Sequence, residues 1–199
     1  VNGLVGSEMC IRDRYEADKT IPKKTVPAQD LFFDLLKERA ETGRIYIMNL
    51  DHCNTHSSFK DKVSMSNLCQ EITLPTTPIQ DIHDEQGEIA LCILSAVNVG
   101  GLNDLSELEN ICDLSVRALE QIIDYQDYPV KAAEVSTKKR RSLGIGYIGL
   151  AHYLAKNGVK YSDPKAWELV DRLSEAFQYQ LLRASCNIAM EKGKCEGFE

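Results

Sequence analysis

No stretch of this 199-residue chain approaches the roughly 20 consecutive apolar residues that a membrane-crossing helix needs, so the chain is not expected to span a bilayer, and no membrane partner is expected. A surplus of positive charge is missing too. Lysine and arginine number 23 against 30 aspartates and glutamates, a net charge of −7, which argues against a nucleic-acid binder. There is no CxxC pair, no cationic start followed by an apolar region, no internal repeat and no low-complexity tract. An odd set of seven cysteines without those features fits neither a secreted disulfide framework nor a zinc ribbon. The setting that remains is a reducing cytoplasm, where each cysteine is either a small buried hydrophobe or a reactive thiol. Against these absences, 43% hydrophobic and 27% charged residues are ordinary globular usage and exclude wholesale disorder.

Residues 1–14 are set apart. Ser7 to Arg14 resembles translated sequencing-adapter read-through, so 1–14 are expected to be non-native and 15–199 to carry the fold, with both ends cut from a longer chain. After Pro27, residues 30–40 read as an amphipathic helix closed by Gly43. Residues 45–48, Ile-Tyr-Ile-Met, read as a short buried strand. Residues 51–86 are polar and punctuated by Pro75 and Pro78. Residues 88–95 read as a strand covered on both faces. Asp104 or Ser106 caps a helix running to residue 124, with Ser106 and Glu109 at capping-box spacing. A basic cluster, Lys138 to Arg141, precedes a glycine-rich turn and a helix over 150–156. Asp163 and Pro164 open a last helix that reaches Lys192 and ends at Gly193. Strands separated by helices predict an α/β layout with parallel strands.

Gly144, Gly146 and Gly149 spell GxGxxG, but a dinucleotide fingerprint needs a strand before it and an acidic strand end about 20 residues later. Lys138-Lys139-Arg140-Arg141-Ser142-Leu143 is no such strand, so glycines that permit a tight turn are the better reading. His52 and His56 flank Cys53 at four-residue spacing, yet the glutamate of an HExxH site is missing, and Asn54 and Thr55 suggest a hydrogen-bonded loop. No metal site is expected. Cys112 falls on the apolar stripe of its helix and reads as core, whereas Cys53, Cys186 and Cys195 have no identifiable partner.

Ser66-Asn67-Leu68-Cys69-Gln70-Glu71-Ile72-Thr73-Leu74-Pro75-Thr76 is the most informative stretch. In an extended backbone Asn67, Cys69 and Glu71 point the same way, but a straight strand would spread the outer two by about 13 Å. The segment must curve if an amide, a thiol and a carboxylate are to converge. The alternative is a solvated loop.

Asn67-Leu68-Cys69-Gln70-Glu71, then Leu74-Pro75-Thr76, then Cys92 in an apolar strand resembles the large catalytic subunit of class I ribonucleoside-diphosphate reductases of the bacterial aerobic type. Thr42-Gly43-Arg44-Ile45-Tyr46, Asp51-His52-Cys53-Asn54-Thr55-His56, Arg140-Arg141-Ser142-Leu143-Gly144-Ile145-Gly146 and Tyr153-Leu154-Ala155-Lys156 agree in order, so the resemblance covers 15–199.

The resemblance implies part of a ten-stranded α/β barrel whose central finger loop carries Cys69 as a transient thiyl radical. It further implies that Glu71 takes the 3′-hydroxyl proton of a ribonucleoside diphosphate, that Asn67 hydrogen-bonds the sugar, and that backbone atoms around Leu68 and Gln70 line the nucleotide. Cys92 becomes one of two reducing thiols that end as a disulfide, its partner lying outside this segment. No cofactor is implied within the segment. The family's metal-dependent radical cofactor sits in a small subunit, its ATP and deoxynucleotide effectors bind elsewhere in the large-subunit homodimer, and thioredoxin or glutaredoxin is the reductant. A phosphate-binding loop, a radical-relaying tyrosine pair and a C-terminal thiol pair are likewise expected elsewhere, and the polypeptide alone is expected to lack turnover and to fold poorly. A cobalamin-dependent reductase is the nearest alternative. A nicotinamide-dependent oxidoreductase and a non-catalytic structural segment are more remote.

Overall fold

A computed structural model describes residues 15–198, which divide into two compact units after Thr76. The expectation about residues 1–14 lies outside the described residues.

In the first unit, α1 (Ala28–Thr42) forms where the sequence predicts it. Asp30 in its first turn complements the positive end of the helix. Gly43 ends it in the left-handed conformation, φ +66°, and donates its N–H to the Arg39 carbonyl at 2.9 Å. None of the residues of α1 is buried, and Leu31, Phe32 and Phe33 are exposed. The strand predicted over 45–48 does not form. β-propensity needs a ladder to act on, and the Ile45 carbonyl takes the Arg39 guanidinium at 3.2 Å in place of a strand partner.

Where the sequence suggests a loop, α2 (Leu50–Thr55) is helical. Asn and Thr weaken helices by competing for backbone groups, but here that competition is satisfied inside the helix. Asn54 Nδ2 donates to the Leu50 carbonyl at 2.9 Å, and the Thr55 hydroxyl donates to the Asp51 carbonyl at 2.8 Å. Asn54 also reaches outward: Nδ2 donates to the Val63 carbonyl, and Oδ1 accepts the Val63 N–H, both at 2.8 Å. This amide holds both backbone groups of fully buried Val63.

The second unit holds β1 (Ile93–Asn98), a 3₁₀ turn (Val99–Gly101), α3 (Glu107–Tyr125), α4 (Lys131–Arg140), β2 (Leu143–Ile148), α5 (Leu150–Lys156) and α6 (Pro164–Lys192). The two strands are parallel, in register from Ile93↔Leu143 to Asn98↔Ile148. Val97, Ile145 and Tyr147 on one face pack with Leu108 and Cys112 of α3 and with Leu173 and Phe177 of α6. Tyr147 meets Phe177 edge-on with centroids 5.5 Å apart. The opposite face carries Leu94, Ala96, Asn98 and Ile148, all exposed.

The second unit is therefore helical around a two-stranded open sheet, and the described residues as a whole are predominantly helical. The partial ten-stranded α/β barrel with a central finger loop is not what the described residues form. The strand expected over 88–95 begins at Ile93 and is covered on one face only. Ahead of it Glu88 makes an isolated antiparallel bridge with Thr77, and the Ile89 N–H goes to Ala132 in α4. Apolar runs that meet no neighbouring strand add nothing to a sheet, so it stops at two.

The long helices follow the sequence closely. Leu108, Cys112, Val116, Leu119 and Ile123 form the buried stripe of α3. Its start differs from the predicted capping box. Ser106 makes no side-chain cap, Glu107 Oε1 accepts the N–H groups of Asn103 (2.9 Å) and Asp104 (3.1 Å), and Glu109 pairs with Arg183 of α6 instead. Asp163 caps α6 by accepting the Lys165 N–H at 3.0 Å. Among the described residues no helix is long and apolar enough to cross a membrane.

Candidate functional site

Asn67, Leu68, Cys69 and Gln70 make a tight turn, closed by the Gln70 N–H on the Asn67 carbonyl at 3.1 Å. Gln70 is left-handed, φ +61°, the geometry that reverses the chain after a type I turn. The Asn67 side chain staples the far side. Its Oδ1 accepts the Ile72 N–H at 3.0 Å and the Ser66 hydroxyl at 3.3 Å, while the Asn67 N–H reaches the Ile72 carbonyl at 3.4 Å. The segment curves through a tight turn whose tip is exposed, the solvated loop that the sequence left as the alternative. With the acceptor oxygen of Asn67 engaged internally, its Nδ2 hydrogens remain for an outside acceptor.

The turn places Leu68 and Cys69 at its tip. Leu68 is 84% exposed, and Cys69 and Glu71 are also exposed. The enclosed, water-poor surroundings that radical chemistry requires are not supplied by the turn itself. Pro75, fully buried, fixes the chain beyond it.

Cys92 lies in the second unit, one residue before β1 rather than within it, and is half-buried. Burial pushes its thiol above the ordinary cysteine value. The sulfur lies 3.8 Å from the Ile93 carbonyl. Its approach is anchored by a device the sequence reading missed. The Glu88 carboxylate, 6% exposed, accepts from Lys139 Nζ and Arg140 Nε, each at 2.6 Å. Burial alone would raise the Glu88 carboxyl, but the hydrogen bonds and charges of Arg140 and Lys139 outweigh it and hold the group below its ordinary value. The available signal was a lone acid opening an apolar run, because a charge there demands a partner.

The other thiols separate clearly. Cys112 is fully buried in the core, and burial pushes its thiol up to about 11, away from the reactive thiolate. Cys53 and Cys195 are half-buried and Cys186 is exposed. His52, Cys53 and His56 assemble no metal cluster: among the described residues no three His, Cys, Asp or Glu side chains are grouped to hold an ion. Gly144 and Gly146 lie inside β2, and helix α4 precedes them, so the strand-then-turn geometry of a dinucleotide site is lacking. The glycine-rich turn expected there is a strand, and only Gly149, φ +79°, turns the chain into α5.

A family profile described as the ribonucleotide reductase barrel domain matches residues 7–199. The chain belongs to that family. Its resemblance is to the class I bacterial alpha subunits, and the cobalamin-dependent alternative receives no support. It is 59% identical over 188 residues to the ribonucleoside-diphosphate reductase subunit alpha of Haemophilus influenzae, covering 93% of this chain and 25% of the relative. Over the same length and with the same coverage it is 55% identical to the subunit alpha of Buchnera aphidicola from Schizaphis graminum. It is 53% identical, with the same coverage, to ribonucleoside-diphosphate reductase 1 subunit alpha of Escherichia coli K12. The chain thus spans about a quarter of the length of the curated relatives it matches.

Proposed function

We propose that the full-length protein reduces ribonucleoside diphosphates to 2′-deoxyribonucleoside diphosphates by thiyl-radical chemistry, supplying DNA precursors in the cytoplasm. The observation that carries this reading is the stapled turn that presents Cys69 at its tip, in a chain 59% identical to a ribonucleoside-diphosphate reductase alpha subunit. Cys69 loses its thiol hydrogen atom to the radical chain and abstracts the hydrogen from C3′ of the ribose. Glu71 accepts the 3′-hydroxyl proton. Asn67 donates through Nδ2 to a sugar oxygen, the role left to it by its engaged Oδ1. Leu68 and Gln70 line the nucleotide. Cys92 and a second thiol outside this segment supply two electrons and two protons, so that the 2′-hydroxyl leaves as water, hydrogen takes its place and the two sulfurs join as a disulfide. The hydrogen then returns from Cys69 to C3′.

In this reading the radical originates in a small, metal-dependent subunit, thioredoxin or glutaredoxin reopens the disulfide, and the large subunit pairs with itself and responds to ATP and deoxynucleotides. Cys69→Ser in the full-length enzyme tests it. Turnover should vanish while the protein still folds and binds substrate, and an unchanged rate would overturn the radical role of Cys69.

A further inference from the structure

We propose that Gly144 is a positioning residue for the Cys92 thiol: the Cβ it lacks is the space that the sulfur needs. The inference rests on the redox role proposed for Cys92. A carbon built on Gly144 would stand 3.0 Å from Cys92 Sγ and 2.6 Å from Leu94 Cδ2. Register explains the meeting. Gly144 pairs with Leu94, and Cys92, two residues earlier, faces the same open side of the sheet.

Backbone conformation does not demand glycine here, because Gly144 is absent from the left-handed glycines of the chain. Nor does the strand as a whole demand it. Gly146, two residues on and on the same face, would meet nothing within 4 Å if it carried a Cβ. A glycine inside a strand weakens it and often marks a close approach, and at 144 the approaching group is a sulfur. Its one hydrogen-bond contact is the weak one to the Ile93 carbonyl at 3.8 Å, so packing governs where the thiol points. An added carbon displaces the sulfur by several tenths of an ångström and restricts its rotation toward a partner thiol. The Leu94 end, exposed and flexible, can move aside.

The test compares Gly144→Ala with Gly146→Ala in the full-length enzyme with its small subunit and reductant. Gly144→Ala should lower kcat about tenfold with KM unchanged and slow alkylation of Cys92 to a similar degree, the scale expected when a reacting group is displaced by a fraction of an ångström. Gly146→Ala should leave both at the wild-type level. Adding Leu94→Ala to Gly144→Ala should not restore the rate, whereas full restoration would assign the effect to Leu94 and overturn the proposal. Equal behaviour of the two glycine variants overturns it as well. If Gly144→Ala does not fold, Cys92→Ala in the same chain should rescue folding by removing the sulfur, and a failed rescue counts against the proposal. Cys92→Ser turning over repeatedly with the protein reductant would remove the redox reading alone, because the alkylation comparison does not depend on it.

Discussion

The two units differ in what holds them together. Residues 77–198 enclose a core in which Leu108, Ile123, Leu154 and Leu173 are fully buried, and ion pairs lock the helices. Arg117 joins Asp113 at 2.8 Å and Glu191 at 2.6 Å, and Arg141 joins Glu120 at 2.7 Å and Asp124 at 2.8 Å. Residues 15–76 bury little apart from Val63 and Pro75, and α1 buries none of its own residues. Their order comes from short-range hydrogen bonds, among them three of the Asn54 amide and two accepted by Asn67 Oδ1. The proposed radical residue stands on the hydrogen-bonded unit and the proposed redox thiol on the packed one. A turn set by local bonds can be altered without unfolding anything else. A thiol set by packing shifts with the side chains that press on it.

That contrast can be broken by substitution. The largest effect is expected in the lightly packed unit and on rate alone. Glu71→Gln in the full-length enzyme should cut kcat by about 10²–10⁴-fold, the share of a lost general base, with the melting temperature unchanged. In the packed unit the largest effect is on stability. Glu88→Gln should cost about 3–5 kcal/mol, because it leaves Lys139 and Arg140 charged beside a neutral group. The carboxyl lies below its ordinary value of 4.5 when folded, so this stabilisation is complete above that pH and disappears as pH falls through the lower, folded value. Urea unfolding between neutral and acidic pH would show it, and Glu88→Gln should flatten that part of the profile. Leu173→Ala should cost about 3 kcal/mol through the cavity it leaves. Asn54→Ala should cost about 2 kcal/mol by orphaning the buried Val63 N–H and carbonyl, and faster amide exchange at Val63 should accompany it. Smallest of all, Phe32→Ala on exposed α1 should stay within about 0.5 kcal/mol in this 199-residue chain, and a larger loss would mean that α1 is packed after all.

Periodicity and caps made the helices legible. α6 opens at Asp163 and Pro164 and closes at Gly193 as read, and Cys112 is core as read. Those signals are local, and local physics decides them. The strands were less legible because a strand exists only with a partner. Residues 45–48 have the composition without a ladder, while Leu143 to Ile148, interrupted by two glycines, forms a strand because Ile93 to Asn98 lies beside it. The barrel expectation came from resemblance, and the pairing observed goes no further than two strands. At the site, a segment that curves ahead of Pro75 was readable, but Cys69 stands exposed at its tip rather than enclosed. The use of Asn67 Oδ1 as a staple was not readable, since it depends on where the Ile72 N–H falls. The Glu88 triad joins residues about 50 positions apart and left only a lone charge as its trace.

Cleavage of the 3′ carbon–hydrogen bond separates the two sulfurs most directly. With a ribonucleoside diphosphate labelled at C3′ and the complete enzyme, the account predicts no cleavage in Cys69→Ser and retained cleavage in Cys92→Ser, which loses only the later reduction. Cleavage of that bond by the Cys69→Ser enzyme would contradict it.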